Sequence, residues 1–144
     1  MKLKMQNNSA IIEGDFFEDQ RGRVDFVNNF DASEIKRVYF TKNKEVNTFR
    51  GWQGHKIESR WFFCVRGKFE VKILKIDNWE NPSKSLIPET FILNEFKPQV
   101  LYVPKGYLNG FSSLEDNSRL MVLSNFKLGE NPDDDYRFES NKWQ

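Results

Sequence analysis

Arg50-Gly51-Trp52-Gln53-Gly54-His55-Lys56-Ile57-Glu58-Ser59-Arg60 carries polar and charged side chains where a buried strand would carry apolar ones. It follows Phe49 and contains the only histidine of the chain. Trp61-Phe62-Phe63-Cys64-Val65, an aromatic and β-branched run, comes next, and Arg66-Gly67 supplies a turn. The juxtaposition predicts a strand that enters a pocket with polar side chains pointing inward. After the turn, residues 68–76 alternate charged and apolar side chains with period two, the pattern of a half-buried strand.

The flanking sequence repeats this grammar. Strand composition recurs at 10–13, 24–28, 35–40, 89–93, 100–103, 109–113 and 119–125. Turn and loop signals separate these runs: 15–23 with Asp19-Gln20-Arg21-Gly22, the charged 42–47, 79–85 with Pro82, and Pro104-Lys105-Gly106. Residues 1–9 are polar and read as a frayed end or an added strand. Asp133-Asp134-Asp135 reads as a solvated acidic loop. Roughly nine short strands, with no helix of three turns, predict an all-β sandwich or barrel. With no repeat or linker composition, one domain is expected over residues 1–144.

Composition narrows the function classes. The 14 Phe, 4 Trp and 4 Tyr provide large buried surface. Basic and acidic residues number 22 and 21, mixed along the chain, for a net charge of +1. That balance argues against electrostatic binding to nucleic acid or to a membrane surface. No apolar run is long enough to span a bilayer or to serve as a signal peptide, so neither element is expected. The one cysteine, Cys64, cannot form an internal disulfide, sits in the most apolar stretch and reads as a reduced core residue of a cytoplasmic protein.

Two pieces of the chain together resemble the cupin superfamily of double-sheet jelly rolls: the polar strand 51–67 and, about fifty residues on, Val103-Pro104-Lys105-Gly106-Tyr107-Leu108-Asn109. In metal-binding cupins the first motif carries two histidines one residue apart, then an acidic or amide residue, and the second is Pro-x-Gly-x-x-His. Here those positions hold Gln53, His55, Ser59 or Arg60, and Asn109. One imidazole and two amides form a poor set for zinc or iron, and a cationic Arg60 would repel a metal. The expectation is a kept barrel with no metal and no other cofactor.

Within the cupins, Ile35-Lys36-Arg37-Val38-Tyr39-Phe40, Arg50-Gly51 with His55-Lys56, Leu101-Tyr102-Val103-Pro104 and Met121-Val122-Leu123-Ser124-Asn125 followed by Asp135-Tyr136-Arg137 resemble the RmlC-like nucleotide-sugar 3,4-ketoisomerases (WxcM-like), which act on dTDP-4-keto-6-deoxyglucose. The related dTDP-sugar 3,5-epimerases share the Arg-Gly and Pro-x-Gly elements. The resemblance implies a metal-free isomerase of a nucleotide-linked 4-keto-6-deoxy sugar, feeding cell-surface polysaccharide synthesis and working as a homodimer. In the ketoisomerases both histidines of the first motif are associated with proton transfer, whereas here only His55 remains and Gln53 replaces the other.

The chemistry follows from the sugar. The C3 proton of a 4-keto sugar is acidic because the carbanion delocalises onto the C4 oxygen. Neutral imidazole, with an ordinary pKa of about 6.5, suits its abstraction. The developing oxyanion needs preorganised donors. His55 is thus expected as the base, with Arg50 and Tyr39 as further catalytic groups. Arg60, Gln53, Asn109, Tyr102, Tyr107 and Trp52 are expected to bind substrate. Glu58, at odd spacing from His55, is expected on the opposite face if 55–60 is a strand. A 3,5-epimerase activity and a non-catalytic cupin that binds a sugar nucleotide or carbohydrate are the alternative readings.

Overall fold

The computed structural model describes residues 10–143; the segment 1–9, with the frayed or added strand expected there, and Gln144 lie outside the described residues. Among the described residues there are twelve strands and no helix. They are β1 (Ala10–Glu13), β2 (Asp15–Asp19), β3 (Gly22–Phe26), β4 (Arg37–Thr41), β5 (Arg50–Gly54) and β6 (Arg60–Arg66). Then come β7 (Lys68–Lys75), β8 (Glu89–Asn94), β9 (Gln99–Val103), β10 (Tyr107–Ser113), β11 (Arg119–Ser124) and β12 (Tyr136–Arg137). Two antiparallel five-stranded sheets, ordered β1-β9-β6-β11-β4 and β12-β5-β10-β7-β8, account for all but the β2–β3 hairpin.

Alternation builds the core between these sheets. Phe69, Val71 and Ile73 of β7 meet Phe62 and Cys64 of β6, Leu101 and Val103 of β9, and Leu120 and Val122 of β11. Cys64 is a free thiol, and burial pushes its pKa up to about 12, so it stays a protonated core residue. The β6–β7 turn rests on Gly67, at φ 79°, where a Cβ would also strike Ser118. Two smaller apolar clusters cover the outer faces, one around Trp52, Leu108 and Trp143 and one around Trp61, Val100 and Leu123.

The structure departs from the sequence reading in three places. Residues 15–19 form β2, paired with β3 from Asp15↔Phe26 to Asp19↔Gly22, rather than a loop. The expected turn is there, with the Asp19 carboxylate accepting the Arg21 N–H. Residues 55–59 are irregular, not strand, because β5 ends at Gly54. Asp134 is buried, and Tyr136–Arg137 adds a strand to the edge of β5.

One irregularity shapes the site. Along β5 and β10, Arg50 faces Phe111 and Gly51 faces Gly110, but Gln53 faces Asn109, so Trp52 is an extra residue in a bulge. The bulge resets the alternation and turns both Arg50 and Gln53 toward the interior, while Trp52 packs outside. It needs close backbones: a Cβ on Gly51 would lie 2.6 Å from the Gly110 Cα, and one on Gly110 would enter the Phe49 ring.

Candidate active site

The interior changes from apolar to polar at one end of the two sheets, where a cleft with two lobes opens. The deep lobe, about 190 Å³, has Phe62, Phe111 and Asn109 among its lining residues. The outer lobe, about 400 Å³, is bounded by His55, Glu58 and the segment 127–135. Tyr39, Arg50, Gln53, Arg60 and Arg137 line both. One sheet thus contributes Tyr39 and Arg60, and the other Arg50, Gln53, Asn109 and Arg137.

His55 is held from two sides. Its carbonyl accepts the Gly106 N–H at 2.8 Å, which ties the Pro104-Lys105-Gly106 turn to the histidine loop. The Asp134 carboxylate accepts the backbone N–H groups of Lys56 at 2.6 Å and of Ile57 and Glu58 at 3.0 Å. Asn125 and Ser59 complete the anchoring, through the Ser59 and Lys105 N–H groups respectively.

The imidazole itself lies with Nδ1 2.5 Å from the Asp134 carbonyl oxygen. A carbonyl only accepts, so Nδ1 carries the proton and Nε2 holds the free lone pair. Nε2 is buried and has no hydrogen-bond partner among the described residues. Burial, and then the Arg60 charge, lower the His55 pKa from 6.5; the Asp134 carbonyl, Glu58 and the Asp134 charge oppose the shift without reversing it. His55 is therefore neutral near pH 7 and in the tautomer of a base.

Arg60, 5% exposed, donates from Nη1 to the Tyr39 hydroxyl at 2.7 Å and from Nη2 to Glu58 at 3.3 Å. Its Nε has no hydrogen-bond partner among the described residues. Gln53 donates to Asp135, which also takes the Arg137 guanidinium. Burial alone would raise the Asp135 pKa, but the hydrogen bonds from Arg137 and Gln53 hold it below 3.8. Five cationic side chains, Arg37, Arg50, Arg60, Lys127 and Arg137, line the outer lobe against three acids, Glu58, Asp134 and Asp135. Among the described residues, Arg37, Arg50 and Lys127 form no salt bridge, which leaves cationic capacity for an anionic ligand.

His55, Glu58 and Asp134 lie close enough together to suggest a cation site. The atoms of the trio that face one another, His55 Nδ1 and the two carboxylates, are already committed to hydrogen bonds. The two Asp134 oxygens accept three N–H groups, Glu58 accepts from Ser124 and Arg60, and His55 Nδ1 donates to the Asp134 carbonyl. The trio fits a hydrogen-bond network better than a metal.

Of the residues singled out from the sequence, Tyr39, Arg50, Gln53, His55, Arg60 and Asn109 come together at the cleft. The other three expected substrate contacts are corrected. Trp52 borders the deep lobe, but it is 1% exposed and its ring packs against Phe49 and Trp143, so no face is free for stacking. Tyr102 stacks on Trp61 outside the first sheet, because Leu101 and Val103 take the inward positions of β9. Tyr107 is buried in the central core. Glu58 is on the same side as His55, its Oε2 3.7 Å from Nδ1, because the loop at 55–59 cancels the strand-parity argument.

The sequence reading assigned Asp134 no place in the site, and Arg137 entered it only as part of the family resemblance. A run of three acids looks solvated, and what distinguishes its middle member is a long-range contact with N–H groups nearly eighty residues away.

Two facing antiparallel sheets with this polar cleft at one end define a cupin jelly roll of the RmlC-like kind. The chain belongs to the FdtA family (WxcM-like, C-terminal), whose family model matches residues 7–143. No curated protein sequence matches it. Solved structures share the fold. A variant of the 3,4-ketoisomerase QdtA from Thermoanaerobacterium thermosaccharolyticum, in complex with TDP-4-keto-6-deoxyglucose, is 21% identical with a TM-score of 0.72, over 93% of this chain and 90% of that one. A 3,4-ketoisomerase from Helicobacter canadensis is 20% identical with a TM-score of 0.71, over 92% of each chain. The dTDP-4-dehydrorhamnose 3,5-epimerase of Bacillus anthracis, with TDP and PPi bound, is 18% identical with a TM-score of 0.77, over 97% of this chain and 85% of that one.

Proposed function

We propose that the protein is an isomerase of a nucleotide-linked 4-keto-6-deoxy sugar, a 3,4-ketoisomerase, that enolises its substrate at C3 with His55 as base. The observation that carries this reading is the buried, neutral His55 with its Nδ1 proton on the Asp134 carbonyl and its Nε2 free, in a cleft that also holds unpaired cations. The fold neighbours solved with TDP or TDP-4-keto-6-deoxyglucose support the substrate class.

Nε2 takes the C3 proton, and the C3–H electron pair becomes the C3–C4 double bond as charge moves to the C4 oxygen. Arg60, Tyr39 and Asn109 are the donors near that charge. Transfer of the C3 hydroxyl proton to the C4 oxygen, and return of the proton from His55 to C4, yield the 3-keto isomer. The diphosphate faces Arg37, Arg50 and Lys127. No redox change occurs, so this chemistry requires no cofactor. A homodimer belongs to the same reading, supported by the exposed Val38 and Phe40 on the edge strand β4. So do a cytoplasmic site of action and a place in the synthesis of cell-surface polysaccharide sugars.

Incubation with dTDP-4-keto-6-deoxyglucose and carbon NMR of the product tests the reading. A carbonyl at C3 is the expected result. Inversion at C3 or C5 would replace it with the epimerase alternative. Binding without turnover would favour a carbohydrate-binding cupin, the second reading, which Gln53 supports because an amide cannot transfer a proton as the first-motif histidine does.

A further inference from the structure

We propose that Glu58 is a positioning residue of this cleft, one that fixes Arg60 against Tyr39 and supports the positive charge His55 acquires when it takes a proton; the proposal rests on the enolisation reading. Its side chain is 11% exposed. Oε1 accepts the Ser124 hydroxyl at 2.9 Å, which locks the carboxylate in place. Oε2 accepts Arg60 Nη2 at 3.3 Å and lies 3.7 Å from His55 Nδ1. Arg60 in turn donates to Tyr39. One carboxylate therefore touches both the base and the cation that faces the Tyr39 hydroxyl.

Both consequences follow from charge in a buried place. Arg60 is nearly enclosed, and Glu58 and Tyr39 are its hydrogen-bond partners, so among the described residues Glu58 provides its counter-charge there. Around His55, the cations Arg37 on β4, Arg50 on β5, Arg60 on β6, Lys127, and Arg137 on β12 disfavour the imidazolium. Asp134 and Asp135 on the 130s segment and Glu58 in the histidine loop favour it. Asp134 holds three backbone N–H groups and Asp135 holds Arg137 and Gln53, so Glu58 is the carboxylate that links His55 to Arg60. It transfers no proton; the C3 proton resides on Nε2 between abstraction and return.

His55 is the only histidine, so long-range proton–nitrogen NMR reports it without ambiguity. Glu58→Gln keeps the shape of the side chain and removes its charge. The expected result is a His55 titration moved further down, an acidic limb of the rate profile that moves with it, and a C3-exchange kcat about tenfold lower at unchanged KM. Arg60→Gln, a second variant should the first not fold, is expected to move the titration up. A His55 titration that stays in place in a folded variant overturns the proposal, as does lost stability with an unmoved titration. If wild type exchanges no C3 proton while the titrations shift as stated, the enolisation reading fails and the coupling of Glu58 to His55 and Arg60 stands.

Discussion

Asp134→Asn breaks the anchor of the histidine loop. In the native protein Oδ1 accepts the Lys56 N–H at 2.6 Å, and Oδ2 accepts those of Ile57 and Glu58 at 3.0 Å each. An asparagine has one acceptor oxygen. Turned toward Ile57 and Glu58, it sets its NH2 against the Lys56 N–H; turned the other way, it opposes two donors. The surviving bonds also lose their charge assistance. A hydrogen bond to a charged group contributes about 1.5–3 kcal/mol against about 1 for a neutral one, and a buried donor left unmade costs about 1–3 kcal/mol. Lys56 and Ile57 are exposed, which lets water recover part of that, so the net loss is about 3 kcal/mol. For a chain of 144 residues this lowers Tm by about 10 °C. Urea unfolding followed by tryptophan fluorescence measures the loss, and imidazole nitrogen shifts follow the His55 tautomer, expected to become mixed as the Asp134 carbonyl loosens. A variant within about 0.5 kcal/mol of wild type, with the tautomer intact, would refute the claim that Asp134 builds the histidine loop.

Three further outcomes are expected. The folded His55 pKa lies below 6.5, so the unfolded chain binds the proton first as pH falls; the stability contributed by neutral His55 is present above pH 6.5 and is lost as pH falls through the folded value, and melting curves of His55→Asn should lack that component. Gly110→Ala places a Cβ 2.0 Å from the Phe49 ring, so β5 and β10 must part at the bulge; a loss of about 2 kcal/mol in urea unfolding is expected. Arg50→Ala removes an exposed side chain that lines both lobes and forms no salt bridge among the described residues, so stability should stay within about 0.5 kcal/mol while TDP affinity by calorimetry falls about tenfold.

The fold was legible wherever one face of a strand is buried. Residues 68–76 alternate because Phe69, Val71 and Ile73 fill the core while Lys68, Glu70 and Lys72 do not. Phe16-Phe17 gives no alternation because the β2–β3 hairpin belongs to neither five-stranded sheet, and both rings are exposed; the strand there was hidden. Arg50, Gln53, His55 and Asn109 were legible as a polar string between glycines, although the bulge that turns Arg50 and Gln53 to the same side has no local signal. Alternation already contained the answer for Tyr102, since inward Leu101 and Val103 leave it outside. For Glu58 and Asp134 it did not: each owes its place to an irregular loop and to partners far along the chain, Ser124 for one and the Lys56–Glu58 backbone for the other.

The central claim is that His55 removes a proton from C3 of a nucleotide-linked 4-keto sugar. Proton NMR of dTDP-4-keto-6-deoxyglucose in D2O tests it most directly. Loss of the C3 signal with wild-type protein, and its persistence with folded His55→Asn, is the predicted result. A C3 signal that persists with wild type under saturating substrate, or one that disappears equally fast with His55→Asn, would contradict it.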